Sequence, residues 1–406
     1  MNDVKKQILE MLQNSRVAEI YKTTYESIIN RTYDDGYFPE SLKDGYGNHE
    51  FPRTIGGLEA LLSETGEFAL MEKVLGYTLN ASKEAGVNRI PHMRSPTPKN
   101  GEKRFFSLDD EVDGTLHVLG AYARLGAEGH LTKEFEDEWY PYIRYLLNIV
   151  CDMPYFYYNS QQPVHLYPNA YPPETMQIVY NCAFEHSREG RRWCCFDLLT
   201  QCFFGGALEA MAKLAKKRGE TEDAEFYSKT IELLREGVDK YMTRESENGK
   251  VYLEMRLPDG AYGKPFTEMG WVNLSPTAAR WQPLPQSVYD NTVKTLVERL
   301  WRPVINHEDL YILYTDTTPG SEPKPDTIGK ALGWYILYCL DSGNFEHILS
   351  VLKFIDRLND GPLYNEAMHL NDGILKAADP GNGEQCVWWC WSIAVLRKYF
   401  GLTPNP

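Results

Sequence analysis

Along most of the chain apolar residues return every three or four positions. The clearest case is 207–218, where Ala207, Leu208, Met211, Leu214 and Ala215 share one face of a helix. After the break at Gly219-Glu220-Thr221, Phe226, Leu233, Leu234, Val238 and Tyr241 form a similar stripe over 224–241. So short a connection predicts two antiparallel helices. The same period predicts helices over 4–29, 53–62, 67–83, 109–125, 134–150, 287–300, 326–339, 345–358 and 384–399. A further helix over 266–280, interrupted by Pro276, completes twelve, or six hairpins. Ser107-Leu-Asp-Asp110 and Ser287-Val-Tyr-Asp290 read as helix starts, and Gly219, Gly343 and Gly401 as stops.

Between the helices the pattern changes. Residues 153–180 and 315–325 are rich in Tyr, Pro, Asn or Thr, and 250–254 suits a short strand. Long irregular segments in a compact helical protein are the usual builders of sites. No composition shift marks an interdomain linker and no fixed-period repeat indicates a solenoid, so one closed helical barrel over residues 1–406 is expected.

Composition narrows the partners. With 43% hydrophobic and 24% charged residues the chain is globular, and its net charge of −15 opposes binding to polyanionic nucleic acid. The apolar run 386–396 is broken by Ser392 and is too short for a membrane span; with polar residues filling the N-terminus, a cytoplasmic location is expected. Cys182, Cys194, Cys195 and Cys202, with His186 nearby, lack a Cys-x-x-Cys pair, so no metal site is expected. There is no Gly-rich phosphate loop, His-Glu-x-x-His or Gly-x-Ser-x-Gly element, and no cofactor is expected.

Candidate chemistry lies in carboxylates with aromatic or Arg-rich neighbours. Glu185 follows Phe184 and precedes Arg188, Arg191, Arg192 and Trp193; burial would raise its pKa and the arginines would lower it. A salt bridge to one of them is the plainer alternative. Glu366, in Tyr364-Asn-Glu-Ala, is expected on a loop before the aromatic helix holding Trp388, Trp389 and Trp391, a stripe that is more often core than a sugar platform. Asp110 and Asp113 stand at a helix start, where the dipole alone would favour them or where they would accept from sugar hydroxyls. His49, Arg53 and His92 sit at loop-to-helix junctions beside Pro52 and Pro91. Arg53 opposes the helix dipole, which calls for a partner such as a substrate hydroxyl or a carboxylate.

Taken in order, these segments resemble the catalytic domain of the glucoamylase family. Arg53-Thr-Ile-Gly-Gly-Leu is similar to its sugar-binding Arg-Asp helix start, with Thr54 in place of the acid, and Asp113-Gly with the helix after it resembles its Gln-x-Asp-x-x-Gly segment. Phe184-Glu185 looks like its Trp-Glu general-acid motif with Phe for Trp. Asn365-Glu366 followed by Trp389-Cys-Trp-Ser392 resembles its general-base Glu and closing Trp-Ser helix. The resemblance implies an all-α, six-hairpin (α/α)6 barrel with long Tyr/Pro-rich site loops. It implies an inverting glycoside hydrolase with Glu185 as acid and Glu366 as base, acting on an oligosaccharide or glycoside. Arg53, His92, Asp110, Asp113 and Arg188 would hold the sugar, and Trp193 or Trp388 would stack on it. Because one barrel hosts several chemistries, a polysaccharide lyase or sugar epimerase working through His49, His92 or His186 stays open, as does a noncatalytic carbohydrate-binding protein.

Overall fold

The computed structural model describes residues 3–41, 48–96, 103–107, 112–152, 177–179, 181–183, 193–256, 270–314, 326–371 and 374–406. Thirteen α-helices occur among them: α1 (Asp3–Asn14), α2 (Arg16–Arg31), α3 (Pro52–Thr65), α4 (Phe68–Ala85), α5 (Asp113–Glu128), α6 (Lys133–Asp152), α7 (Leu198–Arg218), α8 (Thr221–Tyr241), α9 (Ser275–Ala279), α10 (Gln286–Leu300), α11 (Gly329–Ser342), α12 (Phe345–Leu358) and α13 (Gly383–Tyr399). From α3 onward the odd-numbered helices pack each on the next, and α13 closes on α3. The even-numbered helices from α2 to α12 lie outside them and α1 packs on α12. The result is six hairpins in two concentric rings, as the sequence predicts.

Alternation between the rings makes all six inner helices run the same way. Their C-terminal ends are followed by the short turns 66–67, 129–132, 219–220, 280–285 and 343–344. Gly219 and Gly343 close two of these with φ of 82° and 75°, a backbone that glycine adopts without steric cost. Their N-terminal ends are reached through the long connections 32–51, 86–112, 153–197, 242–274, 301–328 and 359–382. The short strands grow from these connections: β1 (Met93–Arg94) with β2 (Phe106–Ser107); β3 (Asn181–Ala183), β4 (Trp193–Asp197) and β7 (Met255–Arg256); β5 (Thr243–Ser246) with β6 (Gly249–Tyr252); β8 (Trp301–Val304) with β9 (His307–Leu313); and β10 (Asp326–Ile328), β11 (Asn365–Asn371) and β12 (Ile374–Pro380), all antiparallel. The barrel therefore has a loop end and a turn end.

The lumen is filled, not hollow. His117, Phe203, Trp334 and Trp388 meet midway, His117 lying 3.7 Å from Phe203 and Trp334 edge-on to Trp388 at 5.4 Å between ring centroids. Gly56, Gly57 and Gly333 let the inner helices come this close: a Cβ on Gly57 would overlap the Trp388 ring, and one on Gly333 would press on the backbone of Trp388 and Trp389. Burial holds the His117 imidazole neutral, its pKa pushed well below the ordinary value.

Several boundaries differ from the sequence reading. The helix expected over 4–29 is two helices, because Ser15 caps α2 by accepting from the Val17 N–H. Ser107 starts no helix: it pairs in β2 and α5 begins at Asp113. Ser287 lies inside α10, which Pro285 precedes. Of the helix expected over 266–280 the described part is a 3-10 turn, Gly270–Leu274, and the single turn of α9.

Candidate active site

Three inner helices carry a charged residue at their second position, and the barrel brings these together at the loop end: Arg53 after Pro52 in α3, Lys330 after Gly329 in α11, and Glu384 after Gly383 in α13. All three are buried. Lys330 Nζ donates to Glu384 Oε1 at 2.6 Å, and Arg53 Nε lies 3.5 Å from Glu384 Oε2. A cation in the first turn opposes the helix dipole, and here each is compensated by the carboxylate between them. Lys330 also sits 4.1 Å from the centre of the Trp271 ring. Burial pushes the Glu384 carboxyl up, but Lys330 and Arg53 more than offset this and hold it well below the usual carboxylate range.

Glu40 locks this cluster from the 32–51 connection. One carboxylate oxygen accepts the Glu384 N–H at 2.8 Å, the other accepts the Thr54 hydroxyl, and its carbonyl accepts the Gly383 N–H. A single residue thereby caps α13 and ties it to α3. Burial, then repulsion from Glu384, pushes the Glu40 carboxyl up to about 7. The unfolded chain releases this proton near 4.5, whereas the folded chain keeps it to about 7. Between those values the folded state binds more protons, so stability falls as pH rises through this window and levels off above it. Glu384 acts oppositely: its contribution is present above the ordinary carboxylate range and is lost as pH falls below it. Glu40→Gln, which mimics the protonated acid, is expected to flatten the decline between pH 5 and 8, by at most about 3 kcal/mol. Urea unfolding at stepped pH checks this; parallel curves for both proteins would remove Glu40 as the cause.

A second buried ion pair fixes the neighbouring connection. Arg94 clasps Glu50 through Nε at 2.9 Å and Nη2 at 2.7 Å, and the Thr78 hydroxyl donates to Glu50 Oε1 at 3.0 Å. A bridge between Glu50 and Arg94 joins the two connections just before α3 and α5. His92, buried two residues from Arg94, meets the Phe51 ring edge-on at 5.3 Å. Asp113, also buried, opens α5 and accepts the Gly114 N–H at 2.8 Å; Gly114 packs on Pro52, one residue from Arg53.

Glu366 belongs to the same end, though on a strand and not on the expected loop. It follows Asn365 at the start of β11, which pairs with β10 on one side and β12 on the other. A Cβ on Gly329 would lie 2.5 Å from the Asn365 carbonyl oxygen and 3.2 Å from that of Glu366, so the strand runs directly against the start of α11. Gly329→Ala is expected to push β11 away at a cost of about 1–3 kcal/mol. Urea unfolding reads the cost, and an unchanged midpoint would mean that the strand yields freely.

Of the residues singled out in the sequence, Arg53, His92, Asp113 and Glu366 lie at the loop end. Trp388 does not serve as a platform: it is fully buried in the lumen between Trp334, Phe203 and His117, with no ring face for a ligand. Asp110, Glu185, His186 and Arg188 lie outside the described residues, and of Trp193 only the backbone is described, paired in β4 with Ala183. The chain on either side of Glu185 is rooted at the loop end, because Gln201 of α7 exchanges hydrogen bonds with the Val179 backbone at 2.7 Å and Asp197 caps α7 through the Thr200 N–H at 2.7 Å. Lys330, Glu384 and Glu40 were missed. Lys330 carries the signal that marked Arg53, a cation in a helix's first turn within an apolar run; Glu40 has no local signal, since its partners are Thr54 and Glu384.

No family model and no curated protein matches the chain. Solved structures do. A bacterial glucoamylase complexed with acarbose superposes with a TM-score of 0.66 at 11% identity, over 95% of this chain and 56% of that one, so the chain spans little more than half the glucoamylase's length. A glycosidase matches with a TM-score of 0.61 at 13% identity over 96% of this chain and 98% of its own. A GH63 mannosylglycerate hydrolase from Thermus thermophilus, in complex with glucose, gives 0.57 at 12% identity over 91% and 99%. The chain shares the six-hairpin (α/α)6 fold of these glycosidases.

Proposed function

We propose that the chain, as one (α/α)6 catalytic domain, is a glycoside hydrolase that cleaves a short oligosaccharide or glycoside by inversion. The observation that carries this is the juxtaposition at the loop end of Glu366 with the buried Arg53–Glu384–Lys330 cluster, on a fold shared with sugar-bound glycosidases. In this reading Glu185, protonated, gives its proton to the glycosidic oxygen, and Glu366, ionised, takes one from a water on the opposite face of the ring. Inversion requires about 6.5–9.5 Å between the two carboxyl groups, enough for that water.

The buried cluster supplies rigidity. Lys330 and Arg53 are held on Glu384, so the ends of α3, α11 and α13 form a fixed floor. Arg53, His92, Asp110, Asp113 and Arg188 hold the sugar hydroxyls, and Trp193 offers a stacking face. The aromatic plug of His117, Phe203, Trp334 and Trp388 closes the lumen below this floor, so a substrate enters from the loop end and stops there. The test is turnover of a panel of α- and β-linked disaccharides and aryl glycosides by the wild type, Glu185→Gln and Glu366→Gln, with the anomer of the first product read by NMR. An unsaturated product, or an epimerised sugar with no cleavage, would transfer the assignment to the lyase or epimerase class.

A further inference from the structure

Four of the eight cysteines fall within residues 182–202, and the hydrolytic reading uses none of them. The fold sets two of these against each other. β3 and β4 run antiparallel, in a register that places Asn181 opposite Cys195, Cys182 opposite Cys194 and Ala183 opposite Trp193. Directly opposed residues of an antiparallel pair share one face of the sheet, with Cα atoms about 4.5 or 5.5 Å apart according to the hydrogen-bonding of that position. Either spacing lies within the roughly 4.4–6.8 Å that a disulfide spans. Cys195 falls on the opposite face from Cys182, because successive residues of a strand alternate.

Both strands are anchored on one side of this pair. Ahead of β3, the Val179 backbone exchanges hydrogen bonds with Gln201 of α7. Beyond Cys195, β4 pairs with β7 through Phe196 and Asp197, and Asp197 caps α7. On the other side only the pair Ala183–Trp193 follows, and the chain joining those two residues carries Glu185 and Arg188. Among the described residues β3 pairs with β4 alone, over three positions, and so short a ladder holds its strands weakly. A covalent bond between residues 182 and 194 would tie the two ends of the Glu185 segment to each other.

The other cysteines are of a different kind. Cys151, Cys202, Cys339, Cys386 and Cys390 are buried, and burial pushes each thiol above its ordinary pKa. The thiolate is the form that attacks a disulfide, so burial withholds these five from exchange.

We propose that Cys182 and Cys194 are a redox pair, closing into a disulfide at the root of the segment that holds Glu185 and opening again on reduction. The oxidant is a small-molecule disulfide such as glutathione disulfide. One cysteine, as thiolate, attacks a sulfur of the reagent and expels one thiolate, leaving a mixed disulfide; the second cysteine attacks the protein-side sulfur of that bond and expels the other. The protons lost by the two cysteines end on the two released thiols, so two protein thiols are oxidised and one reagent disulfide is reduced. The consequence rests on the hydrolase reading: with Glu185 as the acid, closure preorganises the proton donor.

Equilibrating the full chain in glutathione buffers from fully reduced to fully oxidised, blocking free thiols with iodoacetamide and digesting with trypsin without reduction tests this. Trypsin cuts after Arg188, Arg191 and Arg192, so Cys182 and Cys194 leave on separate peptides that stay joined only through the bond. The linked peptide is expected to disappear with dithiothreitol, to be lost in Cys182→Ser and in Cys194→Ser, and to survive Cys195→Ser. Glycoside turnover by the closed form is expected to exceed that of the open form about threefold or more, a difference that Cys182→Ser abolishes. No linked peptide in the fully oxidised buffer, a link that survives Cys194→Ser and fails in Cys195→Ser, or equal turnover by both forms of an active enzyme would overturn the proposal. Failure of the hydrolase reading would appear separately, as no glycoside turnover in either form, with the linked peptide still deciding for or against the pair.

Discussion

Glu366→Gln is expected to lower hydrolysis of any cleaved glycoside by roughly 10²–10⁴-fold, with little change in KM, because the amide cannot take a proton from the attacking water. Glu185→Gln is expected to match that loss on disaccharides and to fall short of it on aryl glycosides with acidic phenols. A leaving group that departs unprotonated needs no general acid, whereas the water needs its base whatever departs. The substrate series therefore separates the roles as well as detecting them. Product of the inverted anomer would confirm that a water fits between the carboxylates; retention would require a nucleophile about 5 Å from the acid and would rewrite the part played by Glu366. Turnover that both variants keep would end the two-carboxylate reading.

The second large effect is expected at Glu384. Glu384→Gln keeps the shape of the side chain but leaves Lys330 Nζ and Arg53 as two buried cations facing a neutral amide. Removing one partner of a buried ion pair exposes the desolvation cost of the other, and a loss of about 3–5 kcal/mol is expected in urea unfolding at pH 7. Since Lys330 and Arg53 stand at the starts of α11 and α3, the loss should weaken turnover together with stability. Adding Lys330→Met to Glu384→Gln removes one of the stranded charges and should recover part of the stability, the apolar chain resting on Trp271 and Trp334. A loss below about 1 kcal/mol for Glu384→Gln would mean that water reaches the cluster.

The fold was legible because the signals for it are local. The stripe of Ala207, Leu208, Met211, Leu214 and Ala215, and the turn at Gly219, depend on residues within a few positions of one another, and α7 and α8 stand where that spacing puts them. Local signals also misled. A Ser-x-x-acid pattern at Ser107 matches a cap, yet pairing with Met93 draws the residue into a strand. The stripe over 4–29 runs through Ser15, whose side chain breaks it into α1 and α2.

Site residues were found where helix-terminal electrostatics betrayed them. Arg53 drew attention as a cation at a helix N-terminus, and its counter-charge is Glu384, contributed by the last helix of the chain. The sequence by itself determined the six-hairpin barrel and which short segments approach its mouth, because helical period and turn glycines act over distances of a few residues. Only the tertiary structure decided that Trp388 fills the lumen instead of facing a sugar, that Glu366 rides on a strand held against Gly329, and that Glu40, Arg53, Lys330 and Glu384 form one buried cluster. Closing the ring brings residues hundreds of positions apart within hydrogen-bond reach, and the partners that set burial and charge at each of them are known only once it has closed.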